Sequence, residues 1–320
     1  MTIDKTKKSA IRKAFGKALA EMGELNDKVV VLDADLASST QTKMFGDKFP
    51  DRFFDCGIAE QDMIATAAGL ATEGKVAFAT SFAMFATGRT YDQIRNSVCY
   101  PDLNVKIVGT HGGVTVGEDG ATHQALEDVA LMRNVPHMKV VIPADSRECE
   151  EVIKYAALHD GPMYIRISRC NVVDIFDDSY HFDINKATVL SEGNDISLFT
   201  NGETLAEALL AAEELKKDGI KVEVVNVSVV KPLDTKTIVE SAKKTDLVIT
   251  VENHSVIGGL GTAVCEALSE NYPVRVYRIG VNDEFGQSGK ADELLNYYGL
   301  DAQSLVKRIK SIYKKEKGNK

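Results

Sequence analysis

The feature that most constrains the fold is a regular alternation between short apolar runs and longer segments of helical periodicity. Between about residues 11 and 168, apolar runs such as VVVL at 29–32 alternate with segments such as QDMIATAAGLATEG at 61–74. This pattern is typical of parallel strands joined by helices that cover both faces of the sheet. The sequence therefore predicts an α/β fold with a doubly wound, mainly parallel sheet.

A second, shorter series of the same kind follows a polar and aromatic segment without sustained periodicity. Its apolar runs are DISLF, KVEVVNVSVV, DLVITVEN and PVRVYRIG, in a chain of 320 residues. We predict two α/β domains, residues 1–172 and 193–320, with the second the smaller and residues 173–192 as the linker.

The first helix of the chain shows the periodicity clearly. Apolar residues on one helical face predict its buried side, and glycine at its end predicts a C-terminal cap at Gly23. The residues on that face are Ile11, Phe15, Ala18, Leu19 and Met22.

Composition and charge exclude several classes of protein. A net charge of -9 argues against a nucleic-acid surface, which needs a clustered positive field. No apolar run approaches the ~20 residues that cross a bilayer, and no apolar segment follows the first lysines, so we expect a cytoplasmic protein without a membrane partner. The five widely spaced cysteines form no C-x-x-C pair and predict reduced thiols.

The segment GIAEQDM at 57–63 places Glu60 where a short strand meets an apolar helix. A carboxylate at a helix N-terminus commonly complements the helix dipole, and this role alone would explain it. The helix that follows is almost wholly apolar, which favours a carboxylate in a dry interior that needs a partner or a raised proton affinity.

The segment THGGVTVGEDGATHQ at 110–124 combines two histidines, two acids and four glycines directly after a strand. His111, Asp119 and His123 share this glycine-bent loop at the carboxyl end of the sheet, where ligands of such folds bind. The loop lacks the close spacing of common metal sites, so it favours acid–base chemistry or hydroxyl recognition over a metal site.

The segment SFAMFATGRTY at 81–91 brings Phe82 and Phe85 near Arg89 and Tyr91. These aromatic residues are explained equally well by core packing on a helix or by a clamp on a heteroaromatic ring, since offset stacking adds ~0.5–1.5 kcal/mol to burial.

Taken in order, these segments resemble transketolases over essentially the whole chain. The resemblance rests on GIAEQDM, SFAMF with YDQIR, GTHGGVTVGEDGATHQALED, IRISR, VENHSVIGGLG and FGQSG. It covers only the pyrimidine-binding and C-terminal domains of that family. The family's G-D-G motif with a following asparagine, which holds Mg2+ and the diphosphate, is absent from these residues.

The resemblance implies thiamine diphosphate as the cofactor and assigns residues to it. Glu60 matches the glutamate that bonds N1′ of the aminopyrimidine and promotes its imino form. Phe85 is expected to stack on the pyrimidine with Phe82 beside it, although the spacing to YDQIR is one residue longer than in some relatives. Asp35 aligns with an acid near the thiazolium.

The same resemblance assigns residues to a sugar phosphate. His111 matches a catalytic histidine near the reacting carbonyl and the donor hydroxyl, and Asp119 matches the aspartate that reads the C2 hydroxyl. Residues that match the terminal phosphate site are Arg12, Ser39, His123 and Arg169, the last being the main phosphate-binding arginine.

The activity implied is transfer of a two-carbon ketol unit between sugar phosphates by a split, two-subunit transketolase. The partner would be a diphosphate-binding N-terminal subunit that carries the Mg2+ ligands. The pyrimidine-binding and C-terminal domains would self-associate, giving an α2β2 assembly, with no direct catalytic residue in the second domain.

Three alternatives share this architecture. The β subunit of a 2-oxo acid dehydrogenase keeps the glutamate, but has no need of the GEDGATHQ aspartate or a phosphate-binding arginine. A deoxyxylulose phosphate synthase is normally one long chain. A non-catalytic homologue would keep the fold, and the joint presence of Glu60, His111, Asp119, His123 and Arg169 argues against it.

Overall fold

The computed structural model describes residues 3–318, which form two α/β domains. The first is built on a seven-stranded sheet in which all neighbouring pairs but one are parallel. Its strands in spatial order are β12 (Val229–Lys231), β6 (Lys139–Val141), β7 (Met163–Ile167), β5 (Val105–Thr110), β4 (Val76–Phe82), β2 (Val29–Asp33) and β3 (Phe53–Asp55). The central strands β2, β4, β5 and β7 are buried along their whole length, as their unbroken apolar runs predict.

Helices cover both faces of this sheet, which confirms the predicted doubly wound arrangement. Val29, Val31 and Phe78 point to the core beneath the first and the last helix of the domain, whereas Val30 and Ala77 point to the opposite core. The α-helices of the first domain are α1 (Ile11–Leu25), α2 (Ala37–Thr40), α3 (Lys43–Gly46), α4 (Glu60–Thr72), α5 (Ala83–Thr87), α6 (Tyr91–Gln93), α7 (Asp128–Asn134) and α8 (Ser146–Leu158). Helix α6 runs into a π-helical segment, Ile94–Cys99, and 3-10 turns occur at Pro50–Arg52 and Val114–Asp119.

The second domain repeats the principle on a five-stranded sheet. Its strands in spatial order are β14 (Val276–Val281), β13 (Val248–Ser255), β10 (Ile196–Thr200), β11 (Val222–Asn226) and β9 (Thr188–Ser191). Its helices are α9 (Thr204–Lys217), α10 (Thr235–Thr245), α11 (Leu260–Asn271), α12 (Ala291–Tyr297) and α13 (Ala302–Gly318). Leu198 and Val224 face the core under α9 and α13, and Phe199 and Val225 face the core under α10 and α11.

Short strands outside the main parallel runs connect the domains and close the first one. β12 follows β11 in the chain but pairs antiparallel with β6 of the first sheet. β1 (Lys8–Ala10) pairs antiparallel with β8 (Asn171–Val173), which joins the start of the first domain to the segment that leaves it. The predicted linker, residues 173–192, contains β9, which pairs antiparallel with β11.

Helix α1 confirms its predicted buried face, because all five of its predicted apolar residues lie in the core. The predicted cap at Gly23 is wrong, since α1 continues to Leu25. A Cβ on Gly23 would lie 2.5 Å from Phe45 and 2.6 Å from Phe49, so glycine is required here by close packing. Among residues 3–318, the helices are all too short or too polar to span a membrane.

Candidate active site

The carboxyl ends of four adjacent parallel strands, β7, β5, β4 and β2, meet at one edge of the first sheet. Residues that leave this edge include Arg169 after β7, His111 after β5 and Asp35 after β2, while Phe82 ends β4. Because parallel strands bring their carboxyl ends together, residues far apart in sequence converge on one region.

Asp33, the last residue of β2, shapes the loop that follows it. Its buried carboxylate accepts hydrogen bonds from the Leu36 N–H at 2.6 Å and from the hydroxyls of Thr40 at 2.8 Å and Thr42 at 2.7 Å. Burial raises the pKa of Asp33, and these three donors oppose that shift. The loop thus fixed carries Asp35 and Ser39.

Glu60 begins α4 and is only 2% exposed, as the apolar helix behind it predicts. Its partner is Arg89, whose Nη1 donates to Oε1 at 2.9 Å and to Oε2 at 2.8 Å. The Arg89 guanidinium also lies 4.7 Å from the centre of the Phe85 ring. The Arg89 side chain is half exposed, so the buried Glu60 carboxylate is paired with an arginine that reaches solvent.

Aromatic and imidazole rings line the region between Glu60 and the neighbouring strands. The rings of Phe82 and Phe85 are stacked with centroids 6.2 Å apart, and Phe82 stacks on His111 at 3.8 Å. His123 packs edge-on against Phe85 at 5.2 Å. The four rings therefore form one continuous wall, which we call the ring wall.

His111 is buried at one end of this wall, and its environment holds the imidazole neutral. Burial, followed by the positive charges of Arg12 and Arg169, lowers the pKa of His111 to about 3. Its Nδ1 lies 2.9 Å from the Thr110 hydroxyl. The ring is thus a neutral hydrogen-bonding group rather than a cation.

Arg12 and Arg169 lie side by side at the other end of the site. Arg12 Nε donates to the Arg169 carbonyl at 3.2 Å, and its Nη1 donates to the Ser39 carbonyl. Burial and the neighbouring Arg169 charge lower the pKa of Arg12. Arg169 Nη1 donates to the Val116 carbonyl and approaches the exposed Glu118 carboxylate at 3.3 Å. Two adjacent guanidiniums with one exposed counter-charge form an anion-binding arrangement.

The structure thus brings most of the predicted residues into two joined groups. Glu60, Phe82, Phe85, His111 and His123 form or adjoin the ring wall, and Arg12 and Arg169 form the cationic end, with Ser39 contacting it through its carbonyl rather than its hydroxyl.

Two predicted residues lie apart from these groups. Asp35 has a left-handed backbone, φ 60°, and its N–H donates to Asp55 at 3.0 Å. Asp119 is the last residue of the 3-10 segment and is exposed to solvent. Among residues 3–318, neither side chain bonds another residue of the predicted site.

Sequence reasoning missed two contacts of this site. It placed Arg89 among aromatic residues, but no local pattern indicates a pair with Glu60, 29 positions away. It also gave Thr110 no role beside His111. The position of Thr110 at the end of a parallel strand could have indicated a role, because ligands of such sheets bind at the carboxyl ends of the strands.

The arrangement has a definite chemical capacity. Phe85 offers an aromatic face, now covered by Arg89, beside the buried Glu60 carboxylate. The neutral imidazole of His111 lies between this face and the pair of arginines. Such a site can hold an uncharged reacting centre at its middle and an anionic group at its far end. No group of three or more histidine, cysteine or acidic side chains suited to a metal ion occurs in residues 3–318.

Family comparisons agree with this architecture. The family model of the transketolase pyrimidine-binding domain matches residues 7–173, and that of the transketolase C-terminal domain matches residues 185–305. The chain therefore belongs to the transketolase family, in the portion that comprises these two domains.

Relatives of similar length extend the comparison. A protein of Methanocaldococcus jannaschii described as a "putative transketolase C-terminal section" is 51% identical over 96% of this chain and 97% of its own. The 6-deoxy-6-sulfo-D-fructose transketolase subunit SqwH of Clostridium sp. strain MSTE9 is 44% identical over 94% of each chain. A solved structure described as a split gene transketolase, inactive β4 tetramer, superposes with a TM-score of 0.89 at 49% identity, covering 95% of this chain and 98% of that one.

Proposed function

We propose that this chain is one subunit of a split transketolase that moves a two-carbon ketol unit from a ketose phosphate to an aldose phosphate. The observation that carries the proposal is the continuous path from the buried Glu60 carboxylate, along the ring wall, to the adjacent Arg12 and Arg169. Each part corresponds to a separate requirement of the reaction: cofactor activation, recognition of the reacting centre, and capture of a terminal anion.

The residues present fit the aminopyrimidine of thiamine diphosphate. The stacked Phe82 and Phe85 offer an apolar face, with Phe85 as the main contact, and Glu60 is the buried carboxylate within reach of such a ring. When bound, thiamine diphosphate would supply the chemistry of two-carbon transfer. Glu60 would hold the proton at N1′, and we assign Asp35, which follows β2 at the same sheet edge, to the thiazolium end.

Arg89 must leave Glu60 before that carboxylate can engage N1′. Its guanidinium now occupies both Glu60 oxygens and lies over Phe85, the same surface that a pyrimidine would cover. The side chain is half exposed, so it can swing into solvent without opening the core.

The sugar part of the substrate is recognised along the remainder of the wall. The neutral His111 hydrogen-bonds the reacting carbonyl and donor hydroxyl without adding a charge. Asp119 accepts a hydrogen bond from the C2 hydroxyl. Arg12, Arg169 and Ser39 bind the terminal phosphate, and buried or half-buried arginines suit this task through their planar donors. We assign His123, whose ring packs against Phe85, to the same end of the substrate.

The relatives support an anionic sugar and a partner chain. SqwH is named as a transketolase subunit for a sulfonated sugar, whose terminal group is an anion like a phosphate. Both curated relatives match this chain over nearly their whole length, as expected for a chain that works with a separate diphosphate-binding subunit. We place the Mg2+ and diphosphate ligands on that subunit, since the 320 residues contain no G-D-G motif.

Exposed apolar surface beside Glu60 supports docking of a second chain there. Ile58, two residues before Glu60, is 77% exposed, and the outer face of α4 presents Ala65 and Gly69 to solvent. We expect an assembly of two chains of each kind, with this chain also self-associating through its two domains.

The decisive test compares two carboxylates in the first turn of α4, buried Glu60 and exposed Asp62. In enzyme reconstituted with a diphosphate-binding subunit, Glu60→Gln is expected to lower kcat by roughly 10²–10⁴-fold, because an amide cannot exchange the proton at N1′. Asp62→Asn, which removes a similar charge from the helix end, should leave kcat within about threefold.

Equal losses in the two variants would reduce Glu60 to a helix-dipole charge and refute the catalytic assignment. Ketol transfer absent from the reconstituted wild type, with 2-oxo acid decarboxylation in its place, would favour the β subunit of a 2-oxo acid dehydrogenase. Absence of both activities would favour a non-catalytic homologue.

A further inference from the structure

The loop at residues 111–124, which we call the histidine loop, is held by the second domain at three points. Asn253 Oδ1 accepts a hydrogen bond from the Val114 N–H at 3.0 Å. Gln124 Nε2 donates to the Gln287 carbonyl at 3.0 Å, and the Ser288 hydroxyl donates to the Glu118 carbonyl at 2.9 Å. The loop that carries His111, Asp119 and His123 is therefore shaped partly by residues outside its own domain.

Asn253 is the most enclosed of these contacts. It is 3% exposed, and its Nδ2 donates to Glu203 Oε1 at 2.6 Å and to the Thr115 hydroxyl at 3.2 Å. Gly113 lies directly against it, since a Cβ at Gly113 would stand 2.4–2.6 Å from three atoms of the Asn253 side chain. The amide thus contacts three consecutive positions at the start of the 3-10 turns.

Those turns connect Asn253 to Arg169. The segment Val114–Asp119 begins at the Asn253 contact and then presents the Val116 carbonyl, which accepts a hydrogen bond from Arg169 Nη1. Glu118, further along the same turns, pairs with the same guanidinium. A displacement at Val114 and Thr115 would therefore shift the Val116 carbonyl, which orients Arg169, together with the exposed carboxylate beside it.

We propose that Asn253 is a positioning residue of the second domain, which sets the histidine loop and, through it, the arginine that binds the terminal phosphate. This inference deepens the proposed function and rests on it for the kinetic readout. It gives a specific role to the VENH segment of a domain that otherwise supplies packing.

The test uses two chemically matched substitutions, Asn253→Asp and Asn226→Asp. Asn226 is also a buried amide of the second domain that donates to a first-domain carboxylate, Glu148, at 2.9 Å. Glu148 also accepts hydrogen bonds from the Ala144 N–H and the Tyr180 hydroxyl, neither of which belongs to the histidine loop. Each substitution places a carboxylate against another carboxylate, half-buried Glu203 in one case and fully buried Glu148 in the other, so both should lower stability through repulsion.

Only Asn253→Asp is expected to alter the loop. In the full chain alone, we expect amide hydrogen exchange across residues 113–119 to rise about tenfold or more in Asn253→Asp and to stay unchanged in Asn226→Asp. In enzyme reconstituted with its diphosphate-binding subunit, Asn253→Asp should raise KM for a sugar phosphate about tenfold with kcat within about threefold.

A compensating substitution tests the contact itself. Glu203→Gln in the Asn253→Asp background restores a donor opposite the new carboxylate, and we expect exchange and KM to return to within about threefold of the wild type. Should Asn253→Asp fail to fold, Glu203→Gln alone replaces the charged acceptor of the Asn253 amide with a weaker, neutral one and is expected to give a smaller increase of the same kind.

The possible failures are separable. Unchanged exchange at 113–119 in both Asn253→Asp and Glu203→Gln, or equal increases in Asn226→Asp, would overturn the positioning role whatever the activity. Raised exchange with unchanged KM would also overturn it, since the loop would then move without moving the phosphate site. If exchange rises in Asn253→Asp but the reconstituted wild type shows no ketol transfer, the proposed function is refuted and Asn253 is a loop contact only.

Discussion

Replacing Arg169 with alanine gives the sharpest separation between a phosphosugar enzyme and other enzymes of this fold. Arg169 follows β7 at the ligand edge of the sheet, beside Arg12, and its Nη1 contacts the Val116 carbonyl. Removing the guanidinium deletes one of two adjacent cations and leaves the other, Arg12, in place.

The size of the effect follows from the surroundings of Arg169. A hydrogen bond to a charged group contributes about 1.5–3 kcal/mol, but the Arg169 side chain is 36% exposed and solvent weakens its contribution. The lower half of that range, about 1.5–2 kcal/mol, corresponds to a fall of about 10–30-fold in kcat/KM. We expect the loss mostly in KM, because the phosphate is remote from the reacting carbon and contributes similar binding in ground and transition states.

The assay measures kcat and KM of the reconstituted enzyme with a phosphorylated ketose and with hydroxypyruvate, a short donor that lacks the phosphate. The second donor should change by no more than about threefold. Glu118→Gln is the matched control, since it removes the exposed partner of Arg169 and keeps the guanidinium. An exposed ion pair contributes about 0–1 kcal/mol, so this variant should leave KM unchanged or slightly lower it.

Two results would refute the reasoning. Equal losses on both donors would show that Arg169 supports the fold or the histidine loop rather than a phosphate. No loss on the phosphorylated donor would remove the phosphate site and, with it, the main structural reason for assigning sugar phosphates to this chain.

Three further outcomes are expected. The isolated chain should bind thiamine diphosphate weakly and show no ketol transfer until a diphosphate-binding subunit is added, and full activity of the chain alone would contradict the split arrangement. The pKa of His111 is lowered from 6.5 to about 3 in the folded state. Below pH 6.5 the unfolded state therefore binds one more proton than the folded state, and stability falls as the pH falls. Between pH 7 and 4.5, the melting temperature of His111→Gln should fall less than that of the wild type or of the exposed-site control His181→Gln. The Asp145 carboxylate accepts hydrogen bonds from the N–H groups of Glu148, Ile175 and Phe176 at 2.8 Å each. Asp145→Ala should lower the free energy of unfolding in urea by about 2–4 kcal/mol, and the exposed control Asp178→Ala by less than about 0.5 kcal/mol.

The sequence was sufficient for the parts of the fold that depend on local periodicity. Strand β2 and helix α1 were predicted because an unbroken apolar run and a one-sided apolar face each have a single good solution in an α/β sheet. The burial of Glu60 was predicted from the apolar helix behind it. The clustering of strand-end residues followed from the geometry common to parallel sheets.

Pairings between distant segments were beyond this reasoning. Strand β12 has only three residues, and nothing in its sequence indicates the first sheet rather than the second. Gly23 looks like a cap because helix ends and close helix contacts both favour glycine, and only the positions of Phe45 and Phe49 decide between them. The Glu60–Arg89 pair and the Asn253 contacts depend on the tertiary fold in the same way.

Strand β12 bears on how such a chain can be divided or recombined. Strand β12 pairs with the edge strand β6, and all other strands of this sheet occur in the chain before residue 168. A fragment that ends near residue 190 would therefore contain the sheet without β12 and leave β6 as an open edge strand. Unprotected borders of this kind attract other strands and lead to aggregation. Dividing the chain between its two domains would therefore expose β6, whereas a break outside the stretch from β1 to β12 leaves every strand of this sheet paired as it is in the whole chain.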